Sequence, residues 1–243
     1  MLDTKIPVYS FAILLALISN LIVVCFLSKK YNYTRNEIIG LLLYENVGII
    51  GGAKVLSYLQ NYSQYNGKFD FMQLGLSSYG AVFGVILFLI LFSLQFKKSL
   101  KELLYIFLPS LPLMYAIGKI GCFLVGCCYG IEYNGLFSVV YKYSNSVSSN
   151  ISLFPVQIVE TIFFLIIFIY MISKHAKKQF EQKTIGISFI LCGITKFLLD
   201  FLRMRHKNVF LSFNQYISII FVIIGLIIYY KNIKCTISKK IDD

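Results

Sequence analysis

No part of this sequence stays polar for long enough to fold as a separate soluble domain, and charged residues are scarce, at 14%. Apolar residues make up 58% and the mean hydropathy is +0.74, against roughly 45–50% apolar in soluble domains. Those values exclude a soluble globular protein. The first apolar run lacks a basic leading segment and a small-residue cleavage site, so it is expected to be a retained span and not a signal peptide. Histidine occurs twice, and neither copy is close to the string Cys122-x4-Cys127-Cys128. That string is not a standard zinc spacing, so neither a metal nor another cofactor is expected. Arginine occurs only three times, against twenty lysines. The lysines fall mostly between apolar segments. The net charge of +12 therefore reads as the positive-inside pattern of a membrane protein and not as a nucleic-acid surface.

What is present is a succession of apolar runs. At about 20 residues per span, the expectation is an all-α polytopic membrane protein, residues 1–243 forming one integral membrane domain with about seven spans. They fall near 6–27, 38–59, 74–96, 103–126, 154–173, 185–202 and 211–230. Pro109 and Pro112 lie inside the fourth and should bend or break it. The stretches after the first, third, fifth and seventh runs each carry three or more basic residues. Those after the second and fourth carry one each, Lys68 and Lys142. The bias places the N-terminus outside and the C-terminus in the cytoplasm. The stretch after the sixth run breaks the pattern, with Arg203, Arg205 and Lys207 on the outer side. An anionic headgroup held at that face is the functional reading. The Tyr-rich loop ends read as interfacial anchors.

One stretch concentrates unusual residues, Tyr115-Ala-Ile-Gly-Lys-Ile-Gly-Cys-Phe-Leu-Val-Gly-Cys-Cys-Tyr-Gly130. Its four glycines suggest a helix that breaks or packs tightly. Lys119, with apolar sequence on both sides, needs an anion or a water-filled cavity. Glu45, Lys54, Glu160, Lys196 and Asp200 are the other ionisable residues within the runs, and such residues are functional candidates by default. Mutual pairing, as of Lys196 with Asp200 at i,i+4, is the plain alternative. Six such residues over several runs point to a shared polar cavity. Lys196, Asp200 and Arg203 have helical spacing, which would put two cations around a carboxylate on one face. That face suits a phosphate and a hydroxyl or thiol that must lose a proton. Tyr9, Tyr79, Gly126 to Gly130, Gln157, Glu160 and Arg203 all fall toward the outer side. Cys122, Cys127 and Cys128 read most simply as small packing residues, with a disulfide open as an alternative on an oxidising face. Cys25 and Cys192 read as core residues.

The order of these elements resembles the prolipoprotein diacylglyceryl transferase family over nearly the whole chain. Gly118-Lys119-Ile-Gly121-Cys122-Phe-Leu-Val-Gly126-Cys127-Cys128-Tyr-Gly130 is similar to its signature G-R-x-G-N-F-x-x-x-E-x-x-G. Ser78-Tyr79-Gly80-Ala81 stands where the family has His-Gly-Gly, and Gly52-Ala53-Lys54 resembles its G-A-R. Phe154-Pro155-Val156-Gln157-Ile158-Val159-Glu160 resembles P-x-Q-x-x-E, and Lys196-Phe-Leu-Leu-Asp200-Phe-Leu-Arg203 resembles R-x-x-x-E-x-x-R. Phe213 to Ser218 resembles the opening of the last span.

The resemblance implies a multi-pass protein of the bacterial cytoplasmic (inner) membrane that acts in lipoprotein biosynthesis. Its partners would be phosphatidylglycerol and a lipobox-containing prolipoprotein, with the diacylglyceryl group passing to the lipobox cysteine thiol. It implies catalytic roles for Tyr79, Lys119, Lys196 and Asp200, with Lys119 and Arg203 on the phosphate and Tyr79 donating a hydrogen bond in place of histidine. It implies substrate contacts at Tyr9, Lys54, Gly80, Gly121, Cys122, Gly126, Cys127, Gly130, Gln157, Glu160 and Arg203. The chain departs from the pattern where Lys119 replaces Arg, Cys122 replaces Asn, Cys127 replaces Glu and Tyr79 replaces His. Lysine lacks the bidentate fork of arginine, and tyrosine is no base near neutral pH. A paralogue with a different lipid-linked transfer, or a non-catalytic anionic-lipid or lipoprotein binder, is the alternative reading. A transporter is disfavoured because the polar residues gather toward one face.

Overall fold

An apolar segment in lipid must satisfy its backbone polar groups internally, and a helix does so within one segment. The apolar runs of this chain are accordingly helical. The computed structural model describes residues 5–62, 74–141, 151–204 and 210–242, with side chains from 8 to 231 of that set. The helices are α1 (Lys5–Ser28), α2 (Arg35–Gln60), α3 (Ser78–Phe96), α4 (Leu100–Phe107), α5 (Ser110–Val125), α6 (Val156–Ala176), α7 (Gln182–Asp200) and α8 (Phe213–Asp242). Seven segments are long and apolar enough to cross a membrane, α4 and α5 together supplying one of them, Leu100–Val125. Large apolar side chains such as Leu94, Leu124 and Ile169 point outward, as lipid-facing residues do. The protein is an all-α, seven-span membrane protein.

The expected break in the fourth span is present. Helical structure lapses over Leu108 and Pro109 and resumes at Ser110. Pro112 falls in the first turn of α5, where its missing N–H leaves no bond unmade. Other boundaries differ from expectation. The third span begins at Ser78 and not at 74, because Ser77 caps α3 through its side chain, which accepts from Gly80 N. Residues 74–77 are instead pinned to α2, Ser77 N donating to Ala53 O at 3.1 Å and Lys54 Nζ to Leu74 O at 2.6 Å. The segment between the expected fourth and fifth spans contains a short antiparallel pair, β1 (Val139–Val140) and β2 (Ser152–Leu153), with Val139 opposite Leu153. Lys68, Lys142, Arg205 and Lys207, on which part of the charge pattern rests, lie outside the described residues.

The chain forms two compact units, Leu17–Leu111 and Met1–Ala16 with Pro112–Asp243. Within the first, α2 and α3 meet along glycines spaced four apart, Gly48 and Gly52 against Gly80 and Gly84. A Cβ on Gly52 would come within 2.7 Å of Gly84 Cα, and one on Gly48 within 2.9 Å of Val85 Cα. This is small-residue packing of membrane helices. The same unit buries Glu45 completely. Its carboxyl accepts from Asn20 Nδ2 at 3.3 Å, and Asn20 Oδ1 accepts from Ser110 Oγ at 2.6 Å. No cation among the described residues pairs with it. In the other unit α7 and α8 pack through Gly186, Gly193 and Gly225. A Cβ on Gly193 would lie 2.7 Å from Ser218 O, so the C-terminal end of α7 is held beside the N-terminal end of α8.

Candidate active site

Polar side chains converge in the unit that contains 112–243, where helix ends meet. Tyr115 and Lys119 are four residues apart on α5 and so share a face. Glu160, on the second turn of α6, is only 1% exposed. Its Oε2 is 2.9 Å from Lys119 Nζ, and Arg203 donates through one terminal nitrogen to Oε1 at 2.6 Å and Oε2 at 2.8 Å. Tyr115 hydroxyl donates to Oε1 at 3.0 Å and accepts from Lys196 Nζ at 2.8 Å. Lys196 also lies 4.5 Å from the centroid of the Tyr115 ring, and Lys119 lies 5.2 Å from it, a geometry that stabilises both cations. An unpaired carboxylate this deep would cost several kcal/mol. Two cations and a hydroxyl offset that cost.

Arg203 is not on the face of α7 that its spacing suggests. The helix ends at Asp200, and Arg203 N donates to Asp200 O at 3.1 Å across the turn. Its backbone forms an antiparallel bridge with Gly130, and Ile131 N donates to Leu202 O at 2.9 Å. This turn sends the guanidinium to Glu160 on another helix. Its Nε is buried without a hydrogen-bond acceptor among the described residues, 3.7 Å from Asp200 Oδ1. Asp200 accepts from Ser212 Oγ and, at 3.4 Å, from Asn214 Nδ2. Ser212 also opens α8 with a reciprocal cap, its hydroxyl accepting from Gln215 N while Gln215 Oε1 accepts from Ser212 N. The cluster formally sets three cations, Lys119, Lys196 and Arg203, against two carboxylates.

The cysteine stretch begins where α5 stops. Gly126 has φ of +72°, a left-handed conformation that glycine adopts at no steric cost. Gly126 N donates to Phe123 O at 3.2 Å and Cys127 N to Cys122 O at 3.0 Å. That pair of bonds is a Schellman motif, which lays Cys127 over Cys122. Cys128 is also left-handed, at φ +55°, and turns back toward both. The three Sγ atoms lie within 4.8 Å of one another, Cys122 buried, Cys127 half-buried and Cys128 exposed. Hydrogen bonds with the Cys122 and Cys127 thiols, with Lys119 and Arg203 nearby, hold Cys128 below the ordinary thiol range. The Tyr9 hydroxyl lies beside Cys122, and the Tyr9 ring and Ala12 pack over Gly121. Gln157 Nε2 secures the turn by donating to Cys127 O at 2.8 Å. Gly130 sits where a Cβ would come within 2.9 Å of Leu202 O, so no larger residue fits.

Of the residues given catalytic or substrate-contact roles in the sequence, twelve thus fall in one unit and Lys54, Tyr79 and Gly80 in the other, as does Glu45, a further ionisable candidate. There Gly80 lies against Gly52 and Leu56 of α2. Tyr79 is buried in the first turn of α3, and Lys54 holds the Leu74 carbonyl. Sequence reasoning did not assign roles to Tyr115 and Ser212. Tyr115 was detectable as the residue one helical turn before Lys119, and Ser212 as the start of the capping string Ser212-x-x-Gln215.

The architecture defines a multi-pass membrane protein with a buried, charge-paired site at its helix ends. The sequence model described as prolipoprotein diacylglyceryl transferase matches residues 1–231. The chain is 27% identical over 230 residues to the phosphatidylglycerol–prolipoprotein diacylglyceryl transferase of Clostridium tetani, covering 93% of this chain and 92% of that one. It is 28% identical over 231 residues to phosphatidylglycerol–prolipoprotein diacylglyceryl transferase 2 of Clostridium perfringens, covering 93% and 90%. The corresponding protein of Campylobacter hominis is 29% identical over 261 residues, covering 95% and 88%. The chain belongs to the prolipoprotein diacylglyceryl transferase family.

Proposed function

We propose that this protein transfers the diacylglyceryl group of phosphatidylglycerol to the thiol of a lipobox cysteine in a prolipoprotein, releasing glycerol phosphate. It would do so in the bacterial cytoplasmic membrane, with the N-terminus outside and the site at the outer face. The family match across residues 1–231 carries this reading. The charge-paired cluster supports it. The donor is an anionic lipid, and three cations face only two carboxylates. Arg203 Nε–H is a buried donor with no hydrogen-bond acceptor among the described residues, suited to a phosphate oxygen. As the acceptor thiolate attacks the glyceryl carbon, the carbon–oxygen bond breaks and charge grows on the departing phosphate. Lys119 and Arg203 would stabilise that charge, and fixed donors aimed at developing charge are a large source of catalysis. Lys119→Ala removes one of them, and transfer to a lipobox peptide should be lost. Unchanged transfer in that variant would refute the phosphate assignment.

A second reading, a paralogue that binds the same lipid and passes it to another acceptor or to none, is favoured by one observation. Cys122 and Cys127 stand where the family signature carries Asn and Glu, and Tyr79 stands for His. Retained phosphatidylglycerol binding with no adduct on the peptide would select this reading.

A further inference from the structure

We propose that Cys122, Cys127 and Cys128 form a thiolate site for one zinc-class divalent ion, whose open fourth position takes the acceptor thiol. The first observation is geometric. Three sulfurs bound to one tetrahedral zinc at about 2.3 Å lie roughly 3.8 Å apart. The three here are already within 4.8 Å of one another, so closing on one ion takes shifts of about 1 Å or less. The second is how they are held. The Schellman turn at Gly126 and the Gln157 bond to the Cys127 carbonyl fix the backbone of two of the three. The third is chemical. A disulfide takes two sulfurs and orphans the third, whereas a thiophilic ion takes all three. The adjacent Cys127-Cys128 pair hides the site from the sequence, because common zinc strings separate paired ligands by about two to four residues, and the close approach here depends on two left-handed residues, Gly126 and Cys128.

The role in transfer rests on the transferase reading above. Zinc sites with three protein ligands keep a position for water or substrate, and a coordinating thiol is deprotonated outright. A lipobox thiol binding there would release its proton to water. Its sulfur would then attack the glyceryl carbon, forming the carbon–sulfur bond. The carbon–oxygen bond would break with its electron pair going to the phosphate oxygen, and glycerol phosphate would leave. The ion would supply the thiolate that Tyr79, unlike a histidine, cannot generate as a base near neutral pH.

The test uses the full-length protein, reduced and stripped of metal, titrated with Cd2+ while the sulfur-to-cadmium charge-transfer absorbance is followed. The expected result is saturation at one equivalent, with the band weakened in Cys127→Ser and in Cys128→Ser and lost when all three cysteines are replaced by Ser. Cys192→Ser, on α7, should leave it at full strength. No band, or a band unchanged by these replacements, overturns the site. Transfer is then assayed before and after stripping. Loss on stripping and recovery with Zn2+ support the acceptor role, and unchanged transfer overturns it. A full Cd2+ band with no transfer under either condition leaves the metal site standing and counts against the transferase reading.

Discussion

Glu160 is the residue on which the site depends. It accepts from Lys119, Arg203 and Tyr115 at once, so its loss strands two buried cations. Glu160→Gln is expected to destabilise the protein by about 3–5 kcal/mol and to abolish transfer. An unchanged melting temperature in detergent would contradict the pairing. Tyr115→Phe keeps the ring under both lysines and removes only the hydroxyl that links Lys196 to Glu160. Losing hydrogen bonds to charged groups at about 1.5–3 kcal/mol should slow transfer by roughly ten- to a hundredfold, and a wild-type rate would remove Tyr115 from the machinery. Much of the site was legible in the sequence at this scale, because Lys119, Glu160, Lys196 and Asp200 are conspicuous in apolar runs. Their pairing was not. The guanidinium of Arg203 crosses to another helix, which no spacing along α7 encodes, and Tyr115 resembled the many interfacial tyrosines of the chain.

At the scale of elements, glycines decide what can pack. Gly84→Leu should drive α2 and α3 apart, since even a Cβ there would sit 2.8 Å from Gly52 Cα. Overpacking typically costs about 1–3 kcal/mol. Gly51, on the same helix, has nothing within 4 Å of an added Cβ. Gly51→Ala should therefore be stabilising, by up to about 1 kcal/mol on helix propensity. Thermal unfolding of the two variants checks the contrast, and equal effects would show that the helices do not meet along this seam. Gly126→Ala forces an alanine to φ +72° and should cost about 1–2 kcal/mol. The proline break between α4 and α5 was legible because proline's missing N–H acts locally. The β1–β2 pair was not, since its two-residue strands carry no periodicity and form only where residues 130–133 meet the segment before α6.

For the whole molecule, hydropathy alone accounts for the seven spans, since lipid leaves a backbone little choice but the helix. Orientation is a separate matter, carried by lysine bias. We expect thiol-reactive or reporter tags at the C-terminus to report the cytoplasm and tags at the N-terminus the outside. The reverse pattern would put the cluster of Lys119, Glu160 and Arg203 on the wrong face for a secreted acceptor. The most direct measurement of the central claim is transfer itself. The purified protein is reconstituted with phosphatidylglycerol and a lipobox peptide, and the peptide is analysed by mass spectrometry beside the Clostridium perfringens relative. A diacylglyceryl adduct on the peptide cysteine, with glycerol phosphate released, is the predicted result. No adduct, with phosphatidylglycerol bound and the relative active alongside, would contradict it.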